Sequence, residues 1–147
     1  MLKDLENKLH TEIPMTKQMN IKIKAMDKNK LITSAPLNEN INDKGTVFGG
    51  SSNALTIISG WSATVLLAQE MGFENSMIAI IKNQSSFRKP ITKDFTCYTY
   101  LPTEEQIEKL KVKIQTKKSA SLKLKAQIIE NEKVCLDFEG IYVIKLK

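Results

Sequence analysis

Residues 38–52 read Asn38-Glu39-Asn40-Ile41-Asn42-Asp43-Lys44-Gly45-Thr46-Val47-Phe48-Gly49-Gly50-Ser51-Ser52. Three asparagines and a Gly-Gly pair stand directly ahead of an uncharged run, Asn53 to Ala68, that reads as a buried helix. A glycine-rich entry to a helix gathers unbonded backbone N–H groups and the positive end of the helix dipole at one point. The asparagine amides add side-chain donors beside them. A place of this kind holds an anion, or an oxygen that becomes one during a reaction.

The helix that follows is apolar nearly all round, through Leu55, Ile57, Ile58, Trp61, Val65, Leu66 and Leu67, and runs to about Met71, where Gly72 stops it. A helix with no polar face belongs inside, wrapped by other structure. It is not a membrane span, because Ser51, Ser52, Asn53, Thr56, Ser59, Ser62 and Thr64 dilute the run from Gly45 to Ala68. A span needs about 20 mostly apolar residues.

Upstream, Leu2, Leu5 and Leu9 repeat at helical spacing, so the chain opens on a short helix that ends before Pro14. Ile21, Ile23 and Ala25 alternate with Lys22 and Lys24, the period of a half-buried strand. Asp27-Lys28-Asn29-Lys30 turns, and Leu31 to Pro36 returns as a second strand. Downstream, Ser76 to Phe87 and Phe95 to Tyr100 read as strands, and Thr103-Glu104-Glu105-Gln106 opens a short charged helix. Ser121 to Ile129 and Val134 to Ile144 form a closing hairpin about Glu130–Lys133. The order predicts one domain over residues 1–147, an α+β hotdog fold in which a curved, mainly antiparallel sheet wraps a central apolar helix. One curved sheet cannot cover such a helix on every side, so a second subunit extending the sheet is expected.

The 147 residues are 41% hydrophobic and 26% charged, which excludes wholesale disorder. A net charge of +6 favours an acidic partner, such as coenzyme A phosphates or an acidic carrier protein. No stretch interleaves aromatic with basic residues as single-strand nucleic-acid binders do, so nucleic acid is not the expected partner. Cys97 and Cys135 form no metal or disulfide pattern, and a lone histidine, His10, read as a surface residue, rules out a multi-histidine metal site in one chain. The charged, amphipathic N-terminus has no signal-peptide pattern, and the expected setting is reducing and cytoplasmic.

Several short strings together carry a family resemblance. Ile13-Pro14-Met15, Ala35-Pro36-Leu37, Asn40-Ile41-Asn42, Gly45 through Ser51, Gly60-Trp61, Phe87-Arg88-Lys89-Pro90 and Phe138-Glu139-Gly140 resemble the YiiD C-terminal-domain family of hotdog thioesterases over nearly the whole chain. The resemblance implies a homodimer or dimer of dimers acting on acyl thioesters of coenzyme A or acyl carrier protein. It implies a subunit-interface site near the start of the central helix, with no cofactor beyond the coenzyme A or phosphopantetheine that carries the substrate. Some members are linked to decarboxylation of malonyl-acyl carrier protein, a source of acetyl groups for fatty acid biosynthesis.

The resemblance places Asn42, three residues before Gly45, near the thioester carbonyl, and its amide and the N–H of Gly50 or Ser51 become the candidate oxyanion donors. Losing one such donor costs roughly 2.7–4 kcal/mol of transition-state stabilisation. Asn42 as a plain turn residue is the competing reading. Asn83 is a candidate second amide, or an outward strand residue. Asn40, Phe48, Gly49 and Ser51 are candidate substrate contacts, and Arg88 a candidate phosphate contact. Hydrolysis also needs a base or nucleophile. Many hotdog thioesterases carry an acid about two turns into the central helix, but Leu55-Thr56-Ile57-Ile58 has none. Asp43 reads as a solvated turn residue beside Lys44, and Ser51 and Ser52 have no histidine nearby. Decarboxylation of a malonyl thioester needs no base to begin, only donors at the enolate oxygen and a desolvated pocket. The sequence therefore favours decarboxylation over hydrolysis. A non-catalytic acyl-thioester or carrier-binding module is the reading from another class.

Overall fold

Leu5 and Leu9 stack on one face of α1 (Leu2–Glu12) and are buried there. Pro14 opens a second short helix, α2 (Pro14–Gln18), which the sequence pattern did not predict. Its fixed φ suits the first helical position and its missing N–H costs nothing there. The computed structural model describes all residues, 1–147. β1 (Lys22–Met26) and β2 (Lys30–Ala35) follow, joined at Asp27, whose Oδ1 accepts the N–H groups of Asn29 and Lys30 at 2.7 and 2.9 Å. Then come the central helix α3 (Gly49–Glu70), β3 (Ser76–Phe87), β4 (Phe95–Tyr100), α4 (Glu104–Lys117), β5 (Ser119–Glu130) and β6 (Lys133–Leu146).

The six strands form one antiparallel sheet in the order β1-β2-β4-β5-β6-β3, and α3 packs across β2 to β6. This is the hotdog arrangement. Strand period decides what meets the helix. Phe95 and Cys97 on β4, Leu124, Ala126 and Ile128 on β5, and Leu136, Phe138 and Tyr142 on β6 point inward and are buried. Each fully buried leucine or isoleucine contributes roughly 1.5–3 kcal/mol. Tyr142 donates its hydroxyl to the Ile57 carbonyl at 2.7 Å. Gly60 lets that ring lie against α3, since a Cβ there would run into the phenol.

Thr103 and Gln106 cap α4 reciprocally, as their spacing predicts, Thr103 Oγ1 accepting at 3.2 Å and Gln106 Oε1 at 2.9 Å. The helix is longer than its charged opening foretells, because Leu110 and Ile114 pack onto Leu67, Ala68 and Met71 at the far end of α3. The β5–β6 hairpin turns through Asn131 and Glu132, both at positive φ as a two-residue hairpin turn requires.

The two sheet edges differ. Outside β1 lies α1, and the buried carboxylate of Glu6 accepts the N–H of Ile23 at 2.7 Å. His10, read from sequence as a surface residue, is half-buried, its Nε2 bonded to the Ile21 carbonyl at 2.7 Å. The other edge, β3, is twelve residues long, pairs on one side only and exposes Met77, Ile81 and Phe87. Ala54, Ile57, Ile58 and Trp61 are only half-buried, so one stripe of α3 is left partly uncovered.

Candidate active site

The loop before α3 is organised by its asparagines. Asn40 is buried at 3% exposure and donates Nδ2 to the Met19 and Pro36 carbonyls at 3.0 and 2.8 Å. Its own carbonyl accepts the Phe48 N–H at 2.8 Å. Asn40 thus fastens both ends of the loop, its NH2 spent on two carbonyls and its Oδ1 buried without a partner. Asn42 holds the tip: its Oδ1 accepts the N–H groups of Lys44 and Thr46 at 2.8 and 3.1 Å. Its Nδ2 donates to Thr46 Oγ1 at 2.9 Å and reaches the Val47 carbonyl only at 3.5 Å. The second contact is too long for a good N–H···O bond, so one amide proton is weakly held. Gly45 closes this tip at φ +80, a conformation that suits glycine.

Phe48 then caps α3 with its carbonyl, which accepts from Ser51 and Ser52 N–H at 2.9 and 3.1 Å. The N–H groups of Gly49 and Gly50 donate to nothing in the chain. They lie at the positive end of a 22-residue helix. The helix therefore begins four residues before the Asn53 start that the uncharged run marks, and both glycines are inside it.

A crevice of about 280 Å³ opens beside this helix start, walled by Val47, Gly49, Ser52, Phe87, Ile91 and Leu136. Thr46, Arg88, Lys89 and the Cys135 thiol complete the lining. No carboxylate lines it. Arg88 is at the rim with Nε on Asp137 at 2.9 Å, while Lys89 has no ion pair. Asp43 is exposed and bound to Lys44 at 3.1 Å. Burial pushes the Cys135 thiol above its ordinary range, with Glu130 adding to the effect, so it is no ready thiolate.

One turn further along α3, Asn53 Oδ1 accepts the hydroxyl of Ser85 on β3 at 2.5 Å. Asn53 Nδ2 has no partner in the chain. Asn83 lies two residues from Ser85 on the same face of β3, opposite Gly140, and is exposed. Phe48 is 57% exposed beside the glycines, and Ser51 is half-buried. Of the predicted residues, Gly49 and Arg88 line the crevice, Gly50 and Asn42 neighbour its lining without being part of it, Asn83 stands on the open edge, and Asn40 is buried under the loop. Asn53 and Ser85 were not singled out from sequence, since 32 residues separate them and only the packing of α3 on β3 brings them together.

Residues 2–146 match the family described as "Putative thioesterase (yiiD_Cterm)". The chain belongs to this YiiD C-terminal family. A protein of unknown function from Chlorobaculum tepidum shares 27% identity and superposes with a TM-score of 0.92, covering 99% of this chain and 94% of its own. A protein described as a putative thioesterase from Shewanella oneidensis shares 25% identity at a TM-score of 0.86, covering 99% and 97%. A thioesterase from Haemophilus influenzae, at 16% identity and a TM-score of 0.74, covers 99% and 92% and shares the fold. Comparison with curated proteins gave no sequence match. YiiD C-terminal membership supports acyl-thioester chemistry for this chain, and no helix in it is long and apolar enough to cross a membrane.

Proposed function

We propose that the protein decarboxylates a malonyl thioester, carried on acyl carrier protein or coenzyme A, to the acetyl thioester. The observation that carries this reading is a donor-rich, carboxylate-free crevice. Gly49, with its free N–H, lines it; the free N–H of Gly50 belongs to the next residue, the weakly held Nδ2 of Asn42 sits on the lining residues Thr46 and Val47, and no Asp or Glu lines it.

The C–C bond to the carboxylate breaks, carbon dioxide leaves, and the electron pair passes to the thioester carbonyl as an enolate. Hydrogen bonds at that oxygen strengthen as the charge develops, which lowers the barrier. Apolar walls, Phe87, Ile91 and Leu136, strip water from the departing carboxylate and favour its loss as neutral carbon dioxide. The enolate carbon then takes a proton from solvent to give acetyl. Arg88 and Lys89 at the rim suit the phosphates of the carrier.

The working unit is a homodimer in this reading. A second copy adding its β3 to this β3 would cover Ile81, Phe87 and the half-exposed stripe of α3, and would enclose Asn53, Asn83 and Ser85.

Hydrolysis is the second reading, favoured by the family description, with a base supplied by the partner copy. The deciding experiment incubates purified protein with malonyl-acyl carrier protein and malonyl-coenzyme A and follows the intact thioesters by mass. Acetyl thioester, lost in Asn42→Ala, supports decarboxylation. Free carrier thiol means hydrolysis, and no turnover with retained carrier binding means a docking module.

A further inference from the structure

A second hollow lies away from the start of α3. It is a groove of about 770 Å³ between α4 and the outer face of β4 and β5, at the other end of the central helix. Its floor is apolar, with Leu101, Leu122 and Val112, the last half-exposed. Its walls carry Lys109 and Lys113 from α4 and Lys123 and Lys125 from β5, and no acid lines it. Lys113 has no carboxylate partner; Lys109 pairs with exposed Glu105 at 3.5 Å, and Lys123 and Lys125 share the single Glu139 at 3.5 and 3.9 Å. Two positive walls over an apolar floor match an amphipathic helix with acidic flanks.

We infer that this groove docks an acidic amphipathic helix of the protein that carries the acyl chain. The inference rests on the thioester reading above and adds where the carrier sits. Adjoining the groove is a smaller hollow of about 330 Å³ that shares Tyr100 and Lys125 with it and shares Arg88 with the crevice at α3. Three hollows therefore run in sequence across the outer face to the candidate site. Lys125 stands opposite Glu139, four residues along β6 from the Cys135 of the crevice. That is about 13 Å of strand, within the reach of a phosphopantetheine arm. A carrier seated on α4 would lay its arm along this path while its helix stays in the groove.

Two measurements on the full chain test this with holo-acyl carrier protein as the probe. Binding is followed by calorimetry at low and high salt, and turnover is compared between malonyl-acyl carrier protein and malonyl-coenzyme A. Lys109→Glu with Lys113→Glu is expected to weaken carrier binding roughly tenfold or more and to abolish most of its salt dependence. KM for the carrier-borne substrate should rise in step while kcat/KM for the coenzyme A substrate stays unchanged. Lys113→Ala, a milder change on an exposed helix face, should give the same pattern at smaller size. Unchanged carrier affinity in the reversed variant overturns the inference, as does a change in oligomeric mass, which would mean the groove holds a second copy. If wild type binds the carrier but turns over neither substrate, binding that falls in the variants still upholds the docking surface while the decarboxylase reading fails.

Discussion

Ser85 on β3 donates its hydroxyl to Asn53 Oδ1 on α3 at 2.5 Å, which fixes the orientation of the Asn53 amide and leaves its NH2 without a partner in the chain. That places a neutral donor one helical turn beyond the free N–H groups of Gly49 and Gly50. In the proposed reaction it faces the thioester from the helix side. Asn53→Ala is expected to lower acetyl formation roughly 100-fold. Ser85→Ala keeps the amide and loosens it, so a smaller loss is expected. Asn53→Asp places an acid where the helix has none, and it should divert product toward free carrier thiol. Product masses for the three variants separate these outcomes.

A second prediction concerns the open edge. Glu6 and α1 guard β1, whereas β3 offers twelve residues with Ile81 at 62% and Phe87 at 60% exposure. Such an edge leaves a row of unpaired N–H and C=O groups that can join another strand, and Lys82 is the one charged side chain along it. Ile81→Lys is expected to convert a dimer into monomer, read by light scattering after size exclusion, with the far-ultraviolet circular dichroism unchanged. Because Asn53, Asn83 and Ser85 lie along this edge, turnover should fall with dimer content.

Local chemistry made much of this fold legible in the sequence. Thr103 with Gln106, Gly72 after the central helix, and the Asn131-Glu132 turn each act within a few residues. The alternation of Leu124, Ala126 and Ile128 fixes an inward face without outside knowledge. What stayed hidden depends on distant pairing. Five residues of α2 are too few to show a period, and His10 turns inward only because β1 folds back beside α1. Asn40 and Asn42 look alike in the loop, yet one is spent on the Met19 and Pro36 carbonyls and the other keeps a loosely held proton. Side-chain direction decided between them, and sequence carries no record of it.

Glu6 supplies a third prediction. Burial disfavours its charge, but the hydrogen bond from the Lys3 ammonium, the Ile23 N–H and nearby Lys22 outweigh that and hold the carboxyl below its ordinary 4.5. A lowered folded value means the stabilisation is complete above the unfolded carboxyl's range and is lost as pH falls through the folded value. Glu6→Ala should destabilise the protein by about 1.5–3 kcal/mol at pH 7, since a hydrogen bond to a charged group is lost and the Ile23 N–H is left buried. Urea midpoints at pH 7 and below pH 4 check it, and the gap between wild type and variant should narrow at the lower pH.

Cys97 gives the opposite sign. It sits at 0% exposure beside Ser59, Thr33 and Thr99, and burial pushes its thiol from 9.0 up to about 11 against weaker opposing hydrogen bonds from those hydroxyls. The unfolded thiol ionises near pH 9 while the folded one keeps its proton, so the stability this thiol lends is fully present below pH 9 and falls as pH rises toward 11. Cys97→Ala should start from a lower stability, through the space left in the core, and decline less steeply between those pH values. A thiol reagent applied to native protein at pH 8 should leave Cys97 unlabelled, and should label it once urea has unfolded the chain. Fast labelling of the native protein would mean that the sheet opens over α3 far more readily than its buried face implies.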